Sequence, residues 1–300
     1  MTSHRDIQFI RAFGQKVAAC GLPQDVADYR HFIAHIIDPN KHMGGDDRPV
    51  EYLESVHISP GLTADIAAPT GPGLFPVMMN CHGNGLITGS ARSYRRFTTD
   101  LARGGYVAVT PDYRLAPEHL FPAAHEDMKA AVHWARDHID KFKGDGTRLA
   151  ICGDSMAASL ALGVVLALAG EANAPRIAAF VGIEGVYDRR EDSYFGGPDS
   201  YMSKAYLGPN VDASMLADPR VSPQVAISAG VKMPATLLIT GSADIAAIPT
   251  LKFSLALQEA QIPHELHLLE NMPHDFMKFS DLDGMRVGHE LMFRFLARHV

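Results

Sequence analysis

The chain predicts an α/β fold, in which a mostly parallel sheet is covered by helices on both faces. Three observations carry this expectation. From about residue 75 onward, short apolar runs rich in Val, Ile and Leu alternate with longer helical stretches, the order that parallel strands joined by crossover helices require. Several of the short runs end in corners of Gly, Asp, Ser or His, where open α/β sheets carry their sites. The composition, 300 residues with 47% hydrophobic and 20% charged, is that of a globular protein with a large core.

The elements follow in order. Residues 5–20 carry Ile10, Phe13 and Val17 at helical spacing, and 24–37 carry Val26, Tyr29, Ile33 and Ile36 in the same way. Pro23 opens the second helix, where proline is tolerated. Residues 38–49, rich in Gly, Pro and Asp, read as a loop. Strands are expected at 50–58, 62–67, 75–81, 106–110, 149–152, 177–183, 235–240 and 264–269. Helices are expected at 93–103, 122–143, 156–170, 249–261 and 288–299. Residues 187–229 break the rhythm and read as an insertion of loops and short helices, with 188–193 as its solvated face.

Composition excludes several functions. A net charge of -7 gives no basic footprint for nucleic acid. Cys20, Cys81 and Cys152 are odd in number and far apart, so neither a disulfide framework nor a Cys-x-x-Cys site is expected. The first residues lack the apolar core of a signal peptide. The most apolar stretch, 159–169, falls short of the ~20 residues a bilayer needs. A cytoplasmic protein with no membrane segment is the expectation. His31 and His35 lie four apart as zinc ligands can, but no glutamate follows His31, so no metal site is expected. The glycines of 83–89 miss the dinucleotide-loop spacing by one residue, and no cofactor is expected.

Chemistry gathers at three strand ends. Ser155 stands between the expected strand at 149–152 and the helix at 156–170. Asp244 follows the strand at 235–240, and His274 follows the last strand. A serine hydroxyl attacks only when an imidazole takes its proton and a carboxylate fixes that imidazole's tautomer. The chain order Ser, Asp, His is the one found in α/β-hydrolases. The oxyanion formed by attack needs preorganised N–H donors. Gly83, Asn84 and Gly85 after the strand at 75–81, with Met156 just after the serine, are the candidates. Glu184, at the end of the strand at 177–183, competes with Asp244 for the acid's role or lines the pocket.

The motifs then carry a resemblance. His82-Gly83-Asn84-Gly85, the segment DYRLAPEH at 112–119, Gly153-Asp154-Ser155-Met156-Ala157, DPRVSP at 218–223 and His274-Asp275-Phe276 are similar to the motifs of the hormone-sensitive-lipase-like, or bacterial family IV, esterases of the α/β-hydrolase superfamily. The resemblance runs from about Phe75 to the C-terminus. It implies an α/β-hydrolase catalytic domain at 49–300, capped by the helices of 1–48 and the insertion at 187–229. It implies hydrolysis of a small-molecule carboxylic ester of small to medium acyl chain through an acyl-enzyme, without a metal, and it suggests a homodimer. The same triad could instead serve amides, carbamates or lactones, and a third reading is a ligand-binding protein that has lost turnover.

Five positions depart from the family's pattern. Asn84 and Asp275 stand where glycine is usual, Met156 where a small residue is usual, and Ile248 where a second aspartate is usual. Ala157 replaces the elbow's second glycine, an added methyl that costs about 1–3 kcal/mol if nothing relaxes. His82 is expected to brace the oxyanion loop, and Asp112 and Arg114 to pair with each other.

Overall fold

A computed structural model describes residues 2–37, 48–228 and 230–300. The loop expected at 38–49 therefore falls mostly outside the described residues. Among the described residues the sheet has eight strands: β1 (Val50–Ser59), β2 (Leu62–Pro69), β3 (Phe75–Cys81), β4 (Val107–Pro111), β5 (Gly144–Asp154), β6 (Ile177–Ile183), β7 (Ala235–Gly241) and β8 (Glu265–Leu269). Their spatial order is β1-β2-β4-β3-β5-β6-β7-β8. Only β1 and β2 run antiparallel to their neighbours. The other pairs are parallel.

Central strands are buried because both faces of the sheet are covered. Val77, Met78 and Met79 of β3, Ala150, Ile151 and Cys152 of β5, and Leu237, Leu238 and Ile239 of β7 are all inaccessible. The covering helices are α3 (Arg95–Arg103), α4 (Ala123–His138), α5 (Met156–Ala169), α8 (Ala247–Glu259) and α9 (Asp283–His299). A helix apolar all round belongs in the interior, and α5 is buried over most of its length.

Local chemistry explains where element ends differ from the sequence reading. The last helix begins at Asp283 rather than 288, because its first N–H, that of Asp283, donates to Asp6 Oδ1 at 2.6 Å. That cap comes from the opposite end of the chain. The fourth helix stops at His138 and tightens into a 3₁₀ turn, Ile139–Phe142. The second N-terminal helix is shorter than expected and ends in a π turn, Ile33–Ile37.

Further helices come from the N-terminal segment and from the 187–229 region. α1 (His4–Cys20) starts at a capping box between Ser3 and Asp6. Its Phe9 and Phe13 rings pack on Phe279, with centroids 5.2 and 5.1 Å apart. α2 (Val26–Phe32) meets the insertion through Tyr29 and Tyr201, 6.5 Å apart. The insertion contributes α6 (Tyr201–Leu207) and α7 (Ala213–Leu216).

Two expectations about charged residues are corrected. Residues 188–193 are not uniformly solvated: Arg189 is 1% exposed, with its guanidinium over the Tyr206 ring at 4.8 Å. Asp112 and Arg114 do not pair with each other. Asp112 accepts from the Ala91 N–H at 2.6 Å, and Arg114 grips Asp127 at 2.8 Å.

Candidate active site

Ser155 sits at a sharp corner between β5 and α5, with φ 55° and ψ -129°. A β-carbon disfavours positive φ, so neighbouring contacts must hold the turn. One is the hydrogen bond from the Ser155 N–H to the carbonyl of Ile183 on β6, 2.9 Å. Another is Gly153, where a β-carbon would lie 2.4 Å from the carbonyl oxygen of Ala157. The close strand–helix approach therefore rests on Gly153, and Ala157 is accommodated fully buried.

Asp244 and His274 arrive from the ends of β7 and β8. His274 Nε2 is 3.0 Å from Ser155 Oγ, and Nδ1 is 2.6 Å from Asp244 Oδ1. Asp244 is itself held: Oδ1 accepts the Ala246 N–H at 2.7 Å and Oδ2 accepts the Thr240 hydroxyl at 2.9 Å. Three residues 119 and 30 positions apart in the chain thus form one hydrogen-bonded relay.

Burial alone pushes the His274 imidazole down, but Asp244, Asp275 and Glu184 together pull it up, from 6.5 to about 10. A general base works as the neutral ring. A raised value keeps the proton on to higher pH, so the active form fills as pH rises. We expect kcat/KM on a neutral ester to climb between pH 6.5 and about 10. A rate already flat from pH 6.5 upward would show that the carboxylates do not hold the proton.

The loop after β3 turns on left-handed backbone. Asn84 has φ 70° and Gly85 φ 74°. Asparagine and aspartate are the side chains that best tolerate this region. That explains two departures from the family's glycines, because Asp275 also has a positive φ, 68°. The Gly83 N–H already donates to the Tyr94 hydroxyl at 2.9 Å. Gly83 therefore supplies room rather than a donor: a β-carbon there would lie 2.4 Å from Asp154 Oδ2. His82 stacks on Tyr113 at 4.2 Å, and burial lowers its imidazole to about 4. It stays neutral and braces the loop.

Glu184 is fully buried, also at positive φ, 51°. It lies between Gly182 and Gly185, whose missing side chains make way for the Tyr187 hydroxyl. Its Oε2 accepts the Asp275 N–H at 2.7 Å and lies 3.9 Å from His274 Nδ1, beyond hydrogen-bond range. Burial first, then the charge of Asp244, raises this carboxyl far above its ordinary value. Asp244 is the acid in contact with His274, and Glu184 stands beyond hydrogen-bond range of it. The donor atoms of Glu184, Asp244 and His274 lie within 4.8 Å of one another. Both imidazole nitrogens are already committed to Ser155 and Asp244, and Glu184 Oε1 is buried with no hydrogen-bond partner among the described residues.

Sequence reasoning missed a buried ionic cluster behind the elbow. Lys278 Nζ lies 2.8 Å from Asp154 Oδ2 and 2.6 Å from Asp275 Oδ1. The Tyr94 hydroxyl donates to the same Asp154 oxygen at 2.8 Å. The cluster ties the residue before Ser155 to the residue after His274. Asp154 stood in a quoted motif, but nothing local marks Lys278, four residues past His274, as its partner.

A cavity of about 480 Å³ opens beside His274 beneath α1 and α2. A larger surface hollow of about 890 Å³ lies between α3 and α9 and includes no triad residue. Among the described residues, no helix is long and apolar enough to cross a membrane.

Comparison with known proteins agrees with this geometry. A family model described as the alpha/beta hydrolase fold matches residues 78–278. The chain is similar to an ethyl acetate hydrolase of Pseudomonas putida, 29% identical over 68% of this chain and 67% of that one. It is also similar to the carboxylic ester hydrolase LipN of Mycobacterium tuberculosis, 29% identical over 75% of this chain and 64% of that one. The matches thus span about two thirds of each relative's length. Among solved structures, a hyperthermophilic esterase from the archaeon Pyrobaculum calidifontis superposes with a TM-score of 0.81, at 23% identity and 96% coverage of both chains. An esterase from the bacterial hormone-sensitive lipase family superposes with a TM-score of 0.78, at 24% identity over 100% of this chain and 99% of that one. These two likenesses speak for the fold.

Proposed function

The chain belongs to the α/β-hydrolase fold family, in its hormone-sensitive-lipase-like branch, and from that premise we propose that it hydrolyses small-molecule carboxylic esters through an acyl-enzyme. The observation that carries this reading is the relay itself, Ser155 Oγ 3.0 Å from His274 Nε2 and His274 Nδ1 2.6 Å from Asp244. Ser155 attacks the acyl carbon while His274 takes its proton. The tetrahedral oxyanion is held by the N–H groups of Asn84, Gly85 and Met156, in the space that Gly83 leaves. His274 then gives the proton to the departing alcohol, and Asp244 stabilises the ring while it is charged. A water activated by His274 releases the acid.

The likeness to an ethyl acetate hydrolase supports small acyl chains as substrates. Residues 1–48 together with 187–229 form the cap in this reading, over a catalytic domain of 49–300. A cytoplasmic homodimer belongs to the same proposal. The outer edge of β8, paired only with β7 and carrying the exposed Leu268, offers a surface for the second copy.

The test is turnover of acetate and butyrate esters beside the matching anilides. Acid and alcohol are expected in equal amounts from the esters, with the anilides far slower. A folded protein that releases alcohol from none of the esters would defeat the proposal.

A further inference from the structure

Two pairs of consecutive residues face each other across the site. Asp154 ends β5 and Ser155 follows it, while His274 and Asp275 are neighbours in the loop after β8. Ser155 Oγ meets His274 Nε2 directly, at 3.0 Å. Asp154 and Asp275 meet only through a third group, because Lys278 Nζ lies 2.8 Å from Asp154 Oδ2 and 2.6 Å from Asp275 Oδ1. The loop thus brings in a carboxylate where the family's pattern has glycine and, three residues on, in the turn Phe276–Lys278, the cation that tolerates it.

The setting is dry. The side chains of Asp154, Asp275 and Lys278 are 7%, 7% and 13% exposed. The hollow they share with Tyr94, Glu184 and three apolar side chains measures about 10 Å³, room for one water at most. Among the described residues that line this hollow, Lys278 is the one cation. Burial alone would raise the Asp275 carboxyl, but Lys278 and then His274 hold it below its ordinary value. Burial would likewise strip the proton from Lys278, and Asp154 and Asp275 hold it on. Like charges repel strongly where water cannot screen them.

Resting on the esterase reading, we infer that Lys278 is a positioning residue, whose ammonium binds the Asp154 and Asp275 carboxylates together and so keeps the histidine loop against the nucleophile elbow. Without it, two facing carboxylates push apart the two loops that the relay must join. Lys278 does not line the 480 Å³ cavity beside His274, so its effect belongs in kcat rather than KM.

Lys278→Met keeps the length of the side chain and removes the charge. It is expected to lower kcat for a short ester by about 10²-fold, the scale of a small misplacement, with KM changed by less than about threefold. Adding Asp154→Asn removes the repulsion, and the amide oxygen can still accept the Tyr94 hydroxyl. The double variant should recover kcat to within about fivefold of the wild type, where independent losses would multiply. A folded Lys278→Met with kcat within about threefold of the wild type, or a double variant no faster than the single one, overturns the inference. If Lys278→Met does not fold, Lys278→Gln is read against the same outcomes. If the wild type hydrolyses no ester, the esterase reading falls. The low-field proton NMR signal of the His274–Asp244 hydrogen bond, assigned by its absence in His274→Ala, then judges Lys278. Its loss in Lys278→Met and return in the double variant support the inference. A signal unchanged in Lys278→Met, or none in the wild type, sinks it.

Discussion

Ser155→Ala is expected to lower kcat for a short ester by about 10⁶-fold, the scale seen when a triad nucleophile is removed. The fold should survive. Alanine meets the same positive-φ strain as serine at φ 55°, and the Ser155 N–H bond to Ile183 uses only backbone. Among the described residues the hydroxyl's hydrogen-bond partner is His274 Nε2, so little else is disturbed. A fluorophosphonate, which traps activated serines, should add one label per chain to the wild type and none to the variant, read by intact mass. A variant that keeps its rate within tenfold would mean that Ser155 is a turn residue and that another group does the work.

Removing the acid separates the two carboxyls beside the imidazole. Asp244→Ala is expected to lower kcat by about 10⁴-fold, because the ring loses both its orientation and the charge that stabilises its protonated form. Glu184→Gln should change kcat by less than about tenfold. Glutamine keeps the shape and an acceptor for the Asp275 N–H, and Glu184 lies outside hydrogen-bond range of His274. The two rates are compared at a common pH, each variant checked for folding by its melting curve. The reverse ranking would move the acid's role to Glu184. It would mean that the 3.9 Å separation from His274 Nδ1 closes when substrate binds.

Much of this was legible in the sequence, for a physical reason. Parallel strands buried on both faces must be apolar, so β3 and β6 stand out and their ends locate the corners. Ser155 and Asp244 follow such strands, His274 follows the half-exposed edge strand β8, and the structure brings all three within hydrogen-bond range. What stayed hidden depends on partners far off in the chain. The start of the last helix is set by Asp6. Arg189 reads as one more charge in a polar run, yet it is buried against Tyr206. Lys278 reads as a surface lysine, because only the folded chain brings Asp154 and Asp275 to it. Arg114 chose Asp127, one helical segment away, over the nearer Asp112.

The way the two ends of the chain meet bears on how the protein is made. α1 is synthesised first, but its seat is built from the last residues: Phe279 receives Phe9 and Phe13, and Asp6 caps the helix that begins at Asp283. His274 also lies beyond all eight described strands, after the edge strand β8. A chain that stops short of His274 lacks one member of the hydrogen-bonded relay and the Phe279 seat of α1. The relay is therefore complete only once His274 has been added. A prematurely terminated product would be inert rather than an uncontrolled esterase, with the apolar face of its first helix left exposed for the cell's quality control to find.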